Sequence, residues 1–342
     1  MSERPDVLIT GATGFIGSHL ATRLATDGRR VRCLVRAPSS PVATSYLREA
    51  GAELVIGDLT DRRSLVEAVD GVRTVFHLGG GGRLGMPEQV QRQINVEGTR
   101  NLLDAIVTRG GVERFVHGST CAVMGNIERP PADETSPYHP QDLAYSKAKT
   151  EAEQLALTYA HRLPIVVVRL PGVIGAPLLR LPPDQASGVT PFGAILSAVK
   201  RGSWRYIGDG TTLTHMVAVE DAVAGLLLAA ERGRAGEIYI IAGDRWLPMR
   251  DLIGLVARQL GVQAPAARIP VAVARSVAFV AELWVRLIGG RPVLSRDMVT
   301  GFTGNLAVDI GKARRELGFE PRVSLEQAIA DSATWYAANG YL

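Results

Sequence analysis

Apolar residues recur along the first half of the chain in short, continuous Val/Ile/Leu runs, separated by longer stretches with helical spacing. Residues 7–9 lead into a glycine turn and a helix, and runs at 31–35, 54–56, 75–78 and 114–117 follow. Another run, 165–169, comes after a helix that begins near Tyr145. Strands that are apolar throughout, rather than alternating, are buried on both faces. Their alternation with helices predicts an α/β fold with a doubly wound parallel sheet. From about Gly172 the pattern loosens, and Pro171, Pro177, Pro182, Pro183 and Pro191 break the chain into loops. A helix at 221–231 and a strand at 237–241 come later. No repeat or low-complexity tract interrupts this order. The expected division is 1–171 for the main sheet and 172–342 for a smaller lobe, with some segments returning to the sheet.

One stretch, 269–289, is apolar enough to raise the question of a membrane. A spanning helix needs about 20 residues with few charges. Here Arg275, Glu282 and Arg286 interrupt, and Val273, Val277, Val280, Trp284 and Leu287 fall on a different face. The stretch reads as an amphipathic helix packed on its own protein. Peripheral contact with a membrane surface, or with an apolar substrate (Phe279 and Trp284), is the alternative.

Composition narrows the classes. With 342 residues and 46% hydrophobic content, the chain can bury a large core without metal or disulfide staples. The 38 basic and 34 acidic residues leave a net charge of only +4, too little for a nucleic-acid stripe. Two cysteines, Cys33 and Cys121, exclude a disulfide framework and fit a reducing cytoplasm. The polar start before residue 7 does not read as an export signal. The six histidines show no ligand-like pairing, so no metal is expected.

The first chemical motif is Thr10-Gly11-Ala12-Thr13-Gly14-Phe15-Ile16-Gly17, between a strand and a helix. Gly11 permits the tight turn, Gly14 lets backbone approach a pyrophosphate, and Gly17 lets the helix pack on the strand. Free N–H groups at the helix start favour the phosphate charge, and Thr13, Phe15 and Ile16 lie beside it. The second strand ends without an acid, at Arg36. With Arg32 and Ser39 as helpers, Arg36 favours the 2′-phosphate of NADP over NAD. Asp58, with Leu59, ends the third strand, where a carboxylate can accept from an adenine amine or cap the next helix. His77-Leu78-Gly79-Gly80 ends the fourth. Leu78, Gly79 and Gly80 are expected against the cofactor, His77 as packing, and the run Gly79–Gly82 as a mobile loop.

Tyr145 and Lys149 stand at i and i+4 on one helix face. An ammonium held close brings a phenol toward a working pKa, so that Tyr145 can exchange a proton with a carbonyl or alcohol oxygen. Lys149 would also bind the nicotinamide ribose; Lys147, on another face, is the second choice. Ser119 and Thr120, twenty-five or so residues upstream, offer a hydroxyl at a strand end.

Taken in this order, the motifs resemble the extended short-chain dehydrogenase/reductases, the NAD(P)-dependent epimerase/dehydratase superfamily. The resemblance also covers Asn95-Val96-Glu97-Gly98-Thr99, Gly208-Asp209-Gly210 and Val217-Ala218-Val219-Glu220-Asp221. It implies a seven-stranded Rossmann sheet, a C-terminal substrate lobe, and a homodimer through two helices, one of them carrying the Tyr–Lys pair. Spacing to Gly125 in that family selects Thr120 as the catalytic hydroxyl and leaves Ser119 to the cofactor. Within the superfamily the chain is most similar to the branch of 3β-hydroxysteroid dehydrogenases and dihydroflavonol reductases, including its ending at Trp335-Tyr336 and Asn339-Gly340-Tyr341-Leu342. It departs where Arg169 is followed by Leu170 before Pro171, and where Ile174 replaces the usual Tyr or Phe. Those departures fall at the expected nicotinamide amide contacts, Leu170 and Val173. The implied activity is hydride transfer to or from an apolar small-molecule substrate. A nucleotide-sugar epimerase, with Lys200, Arg201 and Arg205 on the diphosphate, is the alternative. A dehydratase lacks its acid pair, since Cys121 and Ala122 stand there. A non-catalytic NADP sensor is disfavoured by the retained Tyr145 and Lys149.

Overall fold

The computed structural model describes residues 5–37, 39–81, 86–179, 190–288 and 295–342. Expectations for Gly82, Pro182, Pro183 and Gly289 therefore lie outside the described residues. The first half alternates as expected: β1 (Val7–Thr10), α1 (Phe15–Thr26), β2 (Val31–Val35), α2 (Pro41–Glu49), β3 (Glu53–Ile56), α3 (Arg62–Ala68) and β4 (Thr74–His77). Then come α4 (Glu88–Arg92), α5 (Gly98–Arg109), β5 (Arg114–Thr120), α6 (Ala144–Thr158) and β6 (Ile165–Leu170). The second half holds β7 (Gly172–Ile174), α7 (Pro191–Lys200), β8 (Tyr206–Ile207), β9 (Leu213–Ala218), α8 (Val219–Arg232), β10 (Ile238–Ile240) and β11 (Trp246–Pro248). It ends with α9 (Met249–Gln259), β12 (Arg268–Ile269), α10 (Val271–Ile288), α11 (Arg296–Thr303), α12 (Gly311–Leu317) and α13 (Leu325–Ala338).

A seven-stranded sheet in the order β3-β2-β1-β4-β5-β6-β10 is parallel throughout. Burial of every residue of β1 and β6 explains why those runs are apolar without alternation. The strand order reverses between β1 and β4, which is where ligands bind in such sheets, beyond the carboxyl ends of the strands. β5 runs three residues further than the sequence suggests, because Gly118, Ser119 and Thr120 continue the ladder against Val168, Arg169 and Leu170. That extension carries the candidate hydroxyls to the carboxyl end of the sheet.

From the second half, β10 joins β6, and the Glu134 carboxylate accepts from Ile240 N–H at 2.8 Å. The buried Asp221 in the first turn of α8 accepts from Arg322 N–H and Val323 N–H, both at 3.0 Å. This gives the 217–221 motif a tethering role. The rest includes a small sheet of β11, β9 and β7, a two-stranded sheet of β12 and β8, and a second apolar core containing Phe192, Trp204, Tyr206, Leu252 and Tyr336. Tyr336 Oη stands 2.9 Å from Thr190 N and 3.0 Å from Thr190 Oγ1, so the chain's ending fixes the start of α7.

α10 does pack on its own protein, but not by its large apolar residues. Only a narrow seam is buried: Ala274 and Ala278 are 0% exposed and meet Val299 of α11. Val273, Val277, Phe279, Val280, Leu283 and Trp284 are all exposed. Among the described residues, no helix is long and apolar enough to cross a membrane.

Candidate active site

At the carboxyl ends of β1, β4, β5 and β6 lies a cleft of about 520 Å³. Its floor is the turn from β1 into α1. Gly11 has φ +74°, and a Cβ there would stand 2.7 Å from the Leu78 carbonyl, so both conformation and contact demand glycine. A Cβ on Gly17 would lie 2.2 Å from Gly11 O. Gly14, by contrast, has only Gly11 O near its missing Cβ, at 3.1 Å, and its open side faces the cleft. It is the N-cap of α1 and supplies no side-chain cap, so the helix's first N–H groups are free for an anion. This cradle fits the pyrophosphate of a dinucleotide.

The glycine loop after β4 is pinned at both ends of its described part. Gly79 N–H donates to Thr10 Oγ1 at 3.0 Å, and Asn95 Nδ2 donates to Gly81 O at 3.0 Å. Thr10 Oγ1 meets His77 Nδ1 at 2.7 Å, and His77 Nε2 meets Thr99 Oγ1 at 2.9 Å, whose hydroxyl donates to Asn95 O. The set closes if His77 is neutral, with the proton on Nε2. Burial, helped by the Lys149 charge, holds its pKa down to about 3. His77 is thus a spacer in a hydrogen-bonded chain.

Tyr145 and Lys149 both line the cleft from α6. The Thr120 hydroxyl is near enough to the Tyr145 phenol to pull its pKa down, which brings together the two residues singled out for chemistry. Thr120 Oγ1 also accepts from Ala122 N–H at 3.2 Å, which fixes its orientation. Burial raises the Tyr145 pKa, and the neighbouring Thr120 hydroxyl lowers it. The Lys149 ammonium donates to Gly118 O at 2.7 Å, and burial pushes its pKa down to about 8 against the pull of Glu153. The extended end of β5 thus holds the ammonium.

Behind them sits a fully buried ion pair. Arg169 donates to Glu153 Oε1 through Nε at 3.0 Å and Nη2 at 2.7 Å, and Tyr138 Oη donates to the same oxygen at 2.8 Å. Ser119 Oγ donates to Glu153 Oε2. Ser119 lines the cleft with its hydroxyl thus committed, which leaves Thr120 as the hydroxyl that meets Tyr145. Glu153 was not singled out from sequence, although it continues the four-residue recurrence of Tyr145 and Lys149 on α6.

Of the expected cofactor residues, Gly11, Gly14, Phe15, Ile16, Gly17, Leu78, Gly80, Ser119, Leu170 and Val173 line the cleft. Thr13, Arg36, Asp58, Leu59 and Gly79 lie outside its lining. Arg36 is exposed at the end of β2, near enough to Asp58 to help hold that carboxyl below its usual range; burial opposes this, and the hydrogen bonds from Thr60 are the stronger lowering influences. Asp58 Oδ1 accepts from Thr60 N–H and Oγ1–H, while the cap of α3 is Asp61, not Asp58. Arg32 is no helper, since its guanidinium pairs with Glu53 and donates to the carbonyls of Glu67, Ala68 and Asp70. Ser39 Oγ donates to Arg36 O. Lys200 donates to Leu260 O and Arg205 to Gly202 O and Trp204 O; neither they nor Arg201 line the cleft. Phe192, Ile195 and Met216 add an apolar part of the lining that was not foreseen.

The model of the NAD dependent epimerase/dehydratase family matches residues 7–242. The chain is 32% identical over 343 residues to a putative dihydroflavonol 4-reductase of Synechocystis sp., covering 98% of this chain and 95% of that protein. It is 31% identical over 350 residues to a 3-beta-hydroxysteroid dehydrogenase of Mycolicibacterium neoaurum, covering 96% and 91%. The crystal structure of dTDP-glucose 4,6-dehydratase from Streptomyces venezuelae with NAD and TYD bound is similar with a TM-score of 0.77 at 26% identity, covering 98% and 97%. Because the matched span takes in the whole parallel sheet from β1 to β10, the chain belongs to the NAD dependent epimerase/dehydratase family.

Proposed function

We propose that this enzyme transfers hydride between a nicotinamide cofactor and the carbonyl or secondary alcohol of an apolar substrate of the hydroxysteroid or dihydroflavonol kind. The observation that carries the reading is the closeness of Thr120 to the Tyr145 phenol, at a cleft in which, among the described lining residues, Lys149 is the one charged side chain. A nucleotide-sugar diphosphate would call for cations there, and the candidates Lys200, Arg201 and Arg205 lie elsewhere. The names of the relatives point the same way.

Gly11, Gly14 and Gly17, with the uncapped start of α1, would hold the pyrophosphate, and Lys149 the ribose hydroxyls. A nicotinamide bound in the cleft supplies or removes the hydride. Burial keeps the Tyr145 phenol protonated at neutral pH, the state an acid needs to give its proton to a substrate oxygen as a carbonyl is reduced. The same oxygen takes a hydrogen bond from the Thr120 hydroxyl. Leu170, Val173 and Ile174 wall the nicotinamide side, while Phe192, Ile195 and Met216 give the substrate an apolar surface.

The reading includes NADP(H) over NAD(H), through the exposed Arg36 at the end of β2. It also includes a homodimer through α6 and a reducing compartment, where Cys33 and Cys121 stay buried and free. Light scattering on the purified protein tests the dimer. The function is tested by a panel of ketosteroids, flavonoids, β-keto acids and UDP-sugars run with each cofactor, following absorbance of the reduced nicotinamide. Oxidation or reduction of an apolar member is expected. Interconversion of UDP-sugars without net cofactor change overturns the reading.

A further inference from the structure

We propose that α10 docks this enzyme on an anionic lipid surface. The helix is built the opposite way round from a core helix, with small residues inward and large ones outward. Ala274 and Ala278 form the seam against α11, so the helix sits close to the protein and has no apolar bulk left to bury there. Val273, Val277, Val280 and Trp284 recur at intervals of four, three and four and make one continuous stripe, with Phe279 and Leu283 beside it. Each of these six is between 48% and 60% exposed. A helix with such a face and cations at its margins lies in the interfacial plane of a bilayer, with aromatic and aliphatic side chains among the acyl boundary.

Charge selects the occupant. From 268 to 297 the sequence holds Arg268, Arg275, Arg286, Arg291 and Arg296 against Glu282 and Asp297, a surplus of three, whereas the whole chain has a surplus of four. Arg268, Arg275 and Arg296 are exposed, and Arg296 lies over the Phe279 ring at 5.7 Å, beside the apolar stripe. Anionic headgroups neutralise such a rim. A second copy meeting this face about a two-fold axis would instead set arginine against arginine.

Position gives the docking a purpose. Gln141 Nε2 donates to Thr300 O of α11 at 3.4 Å, so the α10–α11 pair abuts the segment that leads into α6 and Tyr145. The surface would hold the site's side of the molecule against a membrane in which an apolar substrate dissolves. That last step alone rests on the function proposed above; lipid binding itself is read without any substrate.

The test is co-sedimentation of the full-length protein with phosphatidylglycerol/phosphatidylcholine vesicles and with phosphatidylcholine vesicles. Binding to the anionic vesicles is expected to be about tenfold stronger or more, to weaken as salt rises, and to shift Trp284 emission to the blue. Val280→Glu with Trp284→Glu should lower binding by about tenfold or more while circular dichroism and cofactor affinity stay unchanged. Arg275→Glu should weaken binding to anionic vesicles and leave binding to neutral ones as it was. Absence of binding to anionic vesicles overturns the proposal, as does binding that the double substitution leaves intact. Concentration-dependent self-association abolished by the same substitutions overturns it in favour of a second copy. A substrate panel with no apolar turnover, alongside intact vesicle binding, sinks the substrate reading and leaves the docking surface standing.

Discussion

Two regions of this molecule handle burial in opposite ways. Around α6, polar and charged groups are taken fully inside: Glu153 is 0% exposed, Arg169 1% and Lys149 8%. Most of their polar atoms have named partners, because an unpaired charge in a low-dielectric interior is costly. Around α10, large apolar groups are left outside and alanines are buried. The first region spends specificity of contact on holding Tyr145, Thr120 and Lys149 in place. The second contributes little to the core. The lesson is that stability and function separate along the chain: α6 cannot be altered without cost, whereas α10 presents a surface to something else.

Changes at α6 should therefore be severe and changes on α10 slight. The largest effect is expected from Tyr145→Phe, which removes the transferable proton and should lower kcat by about 10²–10⁴-fold, with cofactor affinity by fluorescence titration unchanged. Next comes Glu153→Ala, which strands a buried arginine and should destabilise the protein by about 3–5 kcal/mol in urea unfolding. Arg36→Ser should reduce the preference for NADP over NAD by about tenfold, read from the ratio of kcat/KM values, as expected for losing a charge-assisted bond to phosphate.

Lys149 gives a directional test. Its folded pKa of about 8 lies below the ordinary lysine value of 10.5, so between these pH values the unfolded chain holds more protons than the folded one. Stability contributed through this group is therefore lowest below about pH 8 and rises as pH climbs toward 10.5. Lys149→Met should flatten that rise relative to the wild type in thermal melts. The smallest effect is expected at Val280→Ser on the exposed stripe, within about 0.5 kcal/mol of wild type. A large loss there would show that α10 belongs to the core after all and would erase the contrast.

Much of the site was legible because its signals are local. The requirement for glycine at 11 and 17 follows from one turn, and Tyr145 and Lys149 share a face through helical spacing alone. What stayed hidden involves residues far apart in sequence. Lys149 finds Gly118 only because β5 extends its ladder with β6, and that extension has no periodic signature in Gly118-Ser119-Thr120. Asn95 was visible within a motif, yet its hold on Gly81 depends on how the 79–81 loop folds back. Arg32 looked available beside Arg36 until β3 and the end of α3 were placed around it.

The sequence by itself determined the parallel α/β architecture, the glycine cradle and the Tyr–Lys helix, because backbone sterics and periodicity act over a few residues. Only the tertiary structure decided what binds the Ser119 hydroxyl, what the ammonium bonds, and which face of α10 stays outside. Each of those outcomes is a competition among partners brought together by packing. Spacing alone showed that α10 has two faces, and the packing of its alanine seam against α11 chose between them.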